Sequence, residues 1–237
     1  MKGKTVSRIG NLRPTILAVA LFLAFSSGNT HGEDLVSDSI AILNPTTGSS
    51  YTYGKVTLND IVKDDTARTS VQTSTALIKQ NNTRSGATRV LTIDVDTVEA
   101  ESPYHSSGIS QYEFNTMGSG GSLTVKGRIG SLGTEEKRLA DGIYYVHGQG
   151  RPGGSFQTIN AEIGNIYATQ AGIIASSIPG TYGHTQRVND VGYIDVKGNG
   201  HYRGGYGIYQ RFGRYQETYA STLGQYVTIK EGIKVSG

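Results

Sequence analysis

Short stretches in which apolar and polar residues alternate recur through the second half of the chain. Alternation with a period of two is typical of a half-buried β-strand, so each stretch predicts a strand. The stretches begin 32, 34, 36 and 33 residues apart, at Leu91, Leu123, Gln157, Tyr193 and Tyr226. A second apolar element follows each of the first four stretches, at Gly108-Ile109, Gly142-Ile143, Gly172-Ile173 and Gly207-Ile208. A recurring unit of this length predicts an array of stacked β repeats.

One repeat is too small to fold alone, because ordering its backbone costs about 1 to 2 kcal/mol per residue and it buries few apolar side chains. Stacked repeats share an internal apolar column and pair their strands with the repeats on either side. The 33 glycines exclude helical repeats and suit the corners of a coil. The chain is therefore predicted to be all-β, a right-handed parallel β-helix or solenoid with glycine-rich turns. The alternative is an antiparallel β-sandwich with glycine-rich hairpin loops.

Changes in amino-acid composition divide the chain into three regions. Residues 1–32 contain four cations and then ten unbroken apolar residues, Ile16 to Phe25, which is the pattern of a secretory signal peptide. That apolar run is about half as long as a transmembrane helix, so no transmembrane helix is expected in the mature chain. Residues 33–88 are rich in Thr, Ser and Asp and are predicted to form an N-terminal β-rich cap region. Residues 89–237 are predicted to form the glycine-rich β-solenoid.

Cysteine content and charge narrow the function classes. The chain has no cysteine, which excludes a disulfide scaffold, a Cys-ligated metal site and a thiol nucleophile. The formal net charge of +3 comes from the leader, because the chain after residue 32 holds 18 bases and 19 acids. A near-neutral chain lacks the basic footprint of a nucleic-acid-binding protein, so no nucleic-acid partner is expected.

A signal peptide, the absence of cysteine, and rungs of the form I-x-V-x-G-x-I-G followed by G-I-Y occur together in this sequence. In this combination the chain resembles the β-helical passenger regions of bacterial autotransporter adhesins. The resemblance covers Leu91 to Gly237 and implies export to the cell surface or extracellular space, an extended rod, and adhesion or structural roles. No long amphipathic β-domain follows the repeats to form an outer-membrane barrel. We therefore expect an outer-membrane secretion partner, self-association, or a longer parent protein.

The densest chemical feature is the aromatic and basic stretch between His201 and Tyr226. Tyrosine offers a flat apolar face with a hydroxyl group, which suits sugar rings and protein partners. The predicted binding residues are Tyr202, Arg203, Tyr206, Tyr209, Arg211 and Tyr215. We expect some of these tyrosines to lie exposed together and to bind surface glycans or proteins of host or neighbouring cells. The alternative places them in aromatic ladders within the stack.

Two acidic residues raise the question of catalysis. Asp94 and Asp96 lie on one side of a predicted strand, about 7 Å apart from the strand rise. This separation suits an inverting glycosidase pair or a calcium site. Ordinary solvent-facing alternation between apolar neighbours explains the same pattern.

The histidines offer no ligand-like short spacing. Those of the repeats are His105, His147, His184 and His201. No metal and no cofactor is therefore predicted. The chain is predicted to be a non-enzymatic adhesion or structural protein. The alternatives are a polysaccharide-active β-helix enzyme, either a lyase or a glycosidase, and a subunit of an extracellular fibre.

Overall fold

The computed structural model describes most of the chain after residue 31. The described residues are 32–38, 40–43, 48–59, 75–82, 88–101, 106–113, 121–147, 155–177, 184–198, 205–212 and 223–237. The described residues belong to one compact unit. The predicted signal peptide, residues 1–32, lies outside the described residues apart from Gly32.

Strands make up nearly all of the described chain, because β-branched and aromatic residues alternate with polar ones along it. In chain order they are β1 (Leu35–Ser37), β2 (Ile40–Leu43), β3 (Ser49–Leu58), β4 (Thr75–Asn82), β5 (Thr88–Ala100), β6 (Ser106–Glu113), β7 (Ser122–Leu132), β8 (Leu139–His147), β9 (Ser155–Ser177), β10 (His184–Lys197), β11 (Tyr206–Phe212) and β12 (Leu223–Ser236). Every described strand pair is parallel. Parallel neighbours cannot be joined by a tight hairpin, so the chain must travel around the coil between them.

The strands form two ladders. Ladder one contains β1, β3, β5, β7, the first part of β9, β10 and β12, each paired with the next. Ladder two contains β2, β4, β6, β8, the second part of β9, and β11. The chain visits the ladders alternately, and one strand segment from each makes a rung. This arrangement confirms the predicted parallel β-helix, and an antiparallel sandwich is excluded for the described strands.

The core consists of apolar columns that cross successive rungs. One register position of ladder one holds an aliphatic side chain on each interior strand: Val56, Val98, Leu132, Ile166 and Ile194. One position of ladder two holds a column of isoleucines: Ile78, Ile109, Ile143 and Ile173. All of these side chains are fully buried in one hydrophobic cluster. Each rung therefore depends on its neighbours for the burial that stabilises it.

Glycines in ladder two leave room for the ladder-one column. A Cβ atom at Gly108 would lie 2.6 Å from the Leu132 side chain. A Cβ atom at Gly142 or Gly172 would lie 2.6 Å from the carbonyl oxygen of the equivalent glycine on the next strand, and Gly172 also faces the Ile194 side chain. These positions require glycine because neighbouring atoms occupy the space that a side chain would need.

Polar columns accompany the apolar ones inside the coil. The Gln225 Nε2 donates to Gln186 Oε1 at 2.7 Å, and the Gln186 Nε2 donates to the Ile174 carbonyl oxygen at 3.3 Å. In ladder two the buried Gln111 Nε2 donates to Gln80 Oε1 at 2.5 Å. Amides stack in this way when parallel strands are in register, so these columns help to fix the registry of neighbouring rungs.

The register confirms one part of the predicted repeat alignment and corrects another. The Gly-Ile pairs align as predicted, in one column that holds Ile109, Ile143, Ile173 and Ile208. In ladder one, however, Leu91 pairs with Val125, and Tyr193 pairs with Asn165. The predicted alignment of Leu91 with Leu123, and of Tyr193 with Gln157 and Tyr226, is therefore wrong. For Tyr193 the cause is unequal rung length, because hydrogen-bonded ladder partners around β10 lie 29 residues apart on one side and 39 on the other.

Candidate functional site

The outermost described strand of ladder two carries a pair of stacked tyrosines. The rings of Tyr206 and Tyr209 on β11 have centroids 4.5 Å apart and an interplanar angle of 24°. Tyr206 is 38% exposed and Tyr209 is half-buried. Among the described strands β11 pairs only with β9, so no further ladder-two strand covers it. The two rings form an aromatic platform at the end of ladder two.

Of the remaining predicted binding residues, the structure describes only the backbone of Arg211. Tyr202, Arg203 and Tyr215 lie outside the described residues. Arg211 belongs to β11, where it is the register partner of Ser176, but its side chain is outside the described part. The prediction that several tyrosines lie together therefore rests on the Tyr206–Tyr209 pair.

Sequence reasoning missed a second aromatic surface, on the solvent side of ladder one. Tyr226 on β12 is 57% exposed, and the Arg187 guanidinium lies over its ring, 4.8 Å from the centroid. Phe156 on β9 is also an exposed aromatic residue. Arg187 is the register partner of Tyr226 although the two are far apart in the chain. The signal was present as an aromatic and a cation at equivalent strand positions, but it is visible only once the unequal rung lengths are known.

The acidic pair Asp94 and Asp96 is occupied by a cationic side chain. The Arg128 Nη2 lies 2.9 Å from Asp94 Oδ1, and the same nitrogen donates a hydrogen bond to Asp96. The hydrogen bond that Arg128 donates to Asp96 and the negative charge of Asp94 raise the pKa of the Arg128 guanidinium. All three side chains are more than a third exposed. An inverting glycosidase pair needs space for a water between its carboxyl groups, whereas here an arginine bridges them.

A charged segment between β7 and β8 contacts strands on both sides of its own rung. Lys137 Nζ reaches Glu99 Oε1 at 3.2 Å and Glu101 Oε1 at 2.5 Å. Partial burial raises the pKa of the Glu99 carboxyl, but hydrogen bonds from Lys55 and Lys137 outweigh burial and hold that pKa below its ordinary value. These contacts bind the segment to β5 and its following residue.

The next residue of this segment reaches forward to β10. Arg138 Nη1 donates to the Asp195 carbonyl oxygen at 2.9 Å, and its Nη2 donates to Asp195 Oδ2 at 3.2 Å. The guanidinium also lies 5.5 Å from the centroid of the Tyr167 ring. Both charged side chains of this pair are about nine-tenths buried. Lys137 and Arg138 together link the level of β7 to the levels of β5, β9 and β10, which is a structural role.

In the part of the chain that the structure describes, no group of three or more His, Asp or Glu side chains is arranged to hold a metal ion. His105 and His201 lie outside the described residues, and only the backbone of His147 and His184 is described. His147 ends β8 and His184 begins β10, so the backbones of both lie at strand ends.

The remaining findings concern membrane-spanning helices and comparisons with known proteins. Over the described ranges, no helix is long and apolar enough to cross a membrane. Comparison of the sequence with protein-family models found no match. Comparison with curated proteins and with solved structures also found no match.

Proposed function

We propose that this protein is an exported, non-enzymatic adhesion or structural protein of the cell surface or extracellular space, which binds glycans or proteins through the exposed faces of its rungs. The observation that carries the proposal is the Tyr206–Tyr209 stack on the outermost described strand of ladder two. Export is inferred from the leader in residues 1–32. The resemblance to autotransporter passenger regions belongs to the same proposal.

The chemistry of the platform favours a ligand with a flat apolar side and hydroxyl groups. Stacked tyrosines offer ring faces to the apolar side of a sugar, and their hydroxyl groups donate or accept hydrogen bonds at its edge. Tyr206 and Tyr209 hold each other in place, so little side-chain freedom is lost on binding. A second such position exists where Arg187 lies over the exposed Tyr226 ring, since a guanidinium adds hydrogen-bond donors beside an aromatic face.

A binding experiment tests the platform directly. The purified mature chain is applied to a panel of surface polysaccharides and host-cell proteins, and retention is measured. We expect Tyr206→Ala and Tyr209→Ala to weaken retention of a bound glycan about tenfold, because each removes a stacking face. Tyr193→Ala is the matched control, since Tyr193 is a partly exposed tyrosine on β10 in ladder one. Equal retention by all three variants would contradict the assignment of the platform.

The enzyme alternative is tested in the same samples. Release of reducing ends or unsaturated products from each polysaccharide is measured after incubation with the chain. We expect none, because Arg128 bridges Asp94 and Asp96. Product release that is lost in Asp94→Asn and Asp96→Asn would replace the proposal with a polysaccharide-active enzyme.

A further inference from the structure

The outermost described rung of ladder one exposes side chains whose register partners in the interior rungs are buried. The column that holds Ile166 and Ile194 continues to Ile233 on β12, where exposure rises from 0% to 44%. In the neighbouring column of inward-facing side chains, exposure rises from 0% at Val196 to 49% at Val235. Among the described strands β12 pairs only with β10. One side of β12 therefore offers both apolar side chains and backbone hydrogen-bonding groups, which is the surface that strand addition uses.

We propose that a second copy of this chain docks on this surface, adding its first strand β1 in parallel to the second part of β12. This inference goes beyond the proposed function, because it concerns assembly and needs no ligand. The resulting contact is head-to-tail, so it repeats from copy to copy and builds a filament of coils.

The register of β1 fits the apolar column of β12. At the opposite end of ladder one, β1 pairs only with β3 among the described strands. Leu35 on β1 occupies the position that Val56 holds on β3, and this position belongs to the same column as Ile194 and Ile233. When β1 of a second copy lies beside β12 in this register, its Leu35 faces Ile233. The apolar column then continues across the junction without a change of side-chain type.

Charge favours the same register. Lys234 on β12 is exposed on the solvent side, and the only described carboxylate that it approaches is Asp195, at 4.0 Å. In the continued register Lys234 lies beside Val36 of the second copy, between Asp34 and Asp38 on the same side of the strand. Diagonal neighbours on adjacent strands are within reach of a long side chain. A parallel pair of two β12 strands would instead set each lysine against itself, which is unfavourable.

The docking surface is confined to the second part of β12. In the native coil β1 pairs with the second part of β3, at Val56, Thr57 and Leu58. The matching part of β12 is residues 232–236, which pair with residues 193–197 of β10. This segment contains both exposed apolar side chains, Ile233 and Val235.

The first experiment measures assembly. The mass of the purified mature chain is followed by sedimentation between about 1 and 100 µM, and we expect it to rise with concentration. Ile233→Lys with Val235→Lys should shift the dissociation constant by at least about tenfold, because it places two charges in the junction. Both positions are half-exposed in one copy, so circular dichroism should show an unchanged fold. Lys126→Glu, an exposed change in the middle of the first ladder, is the matched control and should assemble like the parent.

The second experiment tests which ends meet, and it uses the absence of cysteine from the chain. Val36→Cys and Lys234→Cys are prepared separately and oxidised alone or mixed. Adjacent strands are about 4.8 Å apart, within the Cα separation that a disulfide accepts. We expect the mixture to form a mixed dimer while each variant alone stays largely uncrosslinked. A monomer at all concentrations, or crosslinking of Lys234→Cys with itself, would overturn the proposal. Loss of glycan binding with assembly retained would contradict only the proposed function.

Discussion

The interior rungs and the last rung of this coil use the same kinds of side chain for different purposes. Ile166 and Ile194 are enclosed by strands on both sides, whereas Ile233, in the same column, has β10 on one side and solvent on the other. In the interior such a residue stabilises the fold of its own chain. At the end it is left with unused contact area. The comparison teaches that a solenoid needs no specialised sequence to offer a docking surface, because the outermost described rung carries the same apolar column as the interior.

The largest difference between the two regions is expected for truncation of the shared column. Ile166→Ala removes a fully buried side chain and should lower the free energy of unfolding by about 4 kcal/mol, including the cavity left behind. Ile233→Ala should cost about 1 kcal/mol, because the side chain is already 44% exposed and no closed cavity forms. Urea unfolding of both variants measures the difference. Equal losses would mean that the last rung is as well packed as the interior.

A smaller difference is expected for added volume at equivalent glycines. Gly172→Ala should destabilise by about 3 kcal/mol, because its new Cβ would meet the Gly207 carbonyl oxygen and the Ile194 side chain. Gly207→Ala should cost about 1 kcal/mol, since the nearest atoms belong to the half-exposed Ile233 side chain, which can move aside. Thermal unfolding of the two variants under identical conditions makes the comparison. A Gly207 variant as damaged as the Gly172 variant would show that backbone, not side chain, limits both positions.

Loss of a buried ion pair should also lower the free energy of unfolding more than loss of an exposed one, but by a smaller amount than the core substitutions. Arg138→Met removes a partly buried cation that bonds Asp195 twice, and should cost about 2 kcal/mol. Arg128→Met removes an exposed bridge to Asp94 and Asp96, and should cost less than about 1 kcal/mol. Repeating the denaturation in about 1 M salt should reduce the Arg128 effect more than the Arg138 effect. A reversed order would contradict the assignment of Arg138 as a link between levels.

A pH-dependent effect is expected at a buried amine in ladder two. Burial lowers the pKa of Lys79 to about 8. Between about pH 8 and 10.5 the unfolded chain holds this proton and the folded chain has released it, so stability should rise with pH in that window. Lys79→Met should flatten the rise. Lys79→Arg keeps its charge throughout and should be less stable than the parent at the upper end of the window. An unchanged slope in Lys79→Met would show that another group titrates there.

The architecture was predictable because glycine and isoleucine recur as a unit. The Gly-Ile alignment survives in the structure, since both residues answer constraints that repeat at every rung: a close approach at Gly142 or Gly172, and a core position at the following isoleucine. The register of ladder one was not predictable from spacing. Turns between rungs differ in length, and a shift in register between Val188 and Val191 moves the later part of β10 by one position.

The candidate site was only partly predictable for a related reason. Tyr206 and Tyr209 are near each other in the chain, so local composition was enough to suggest an exposed aromatic group. Arg187 and Tyr226 meet only because β10 and β12 are neighbours in ladder one. The bridge from Arg128 to both aspartates arises in the same way, across one rung. The candidate site is formed by contacts between rungs. Such contacts can be predicted from a single sequence only when the number of residues in each rung is known.

The Lys137–Arg138 segment also bears on how such a coil would come apart. Fraying that begins at β12 removes one strand at a time, since each level is held mainly by its neighbours. When fraying reaches β10, the hydrogen bonds between Arg138 and Asp195 must also break. Arg138 follows β7, which lies two strands further into the ladder than β10. We therefore expect fraying from β12 to slow at β10, where the Arg138–Asp195 hydrogen bonds must also break.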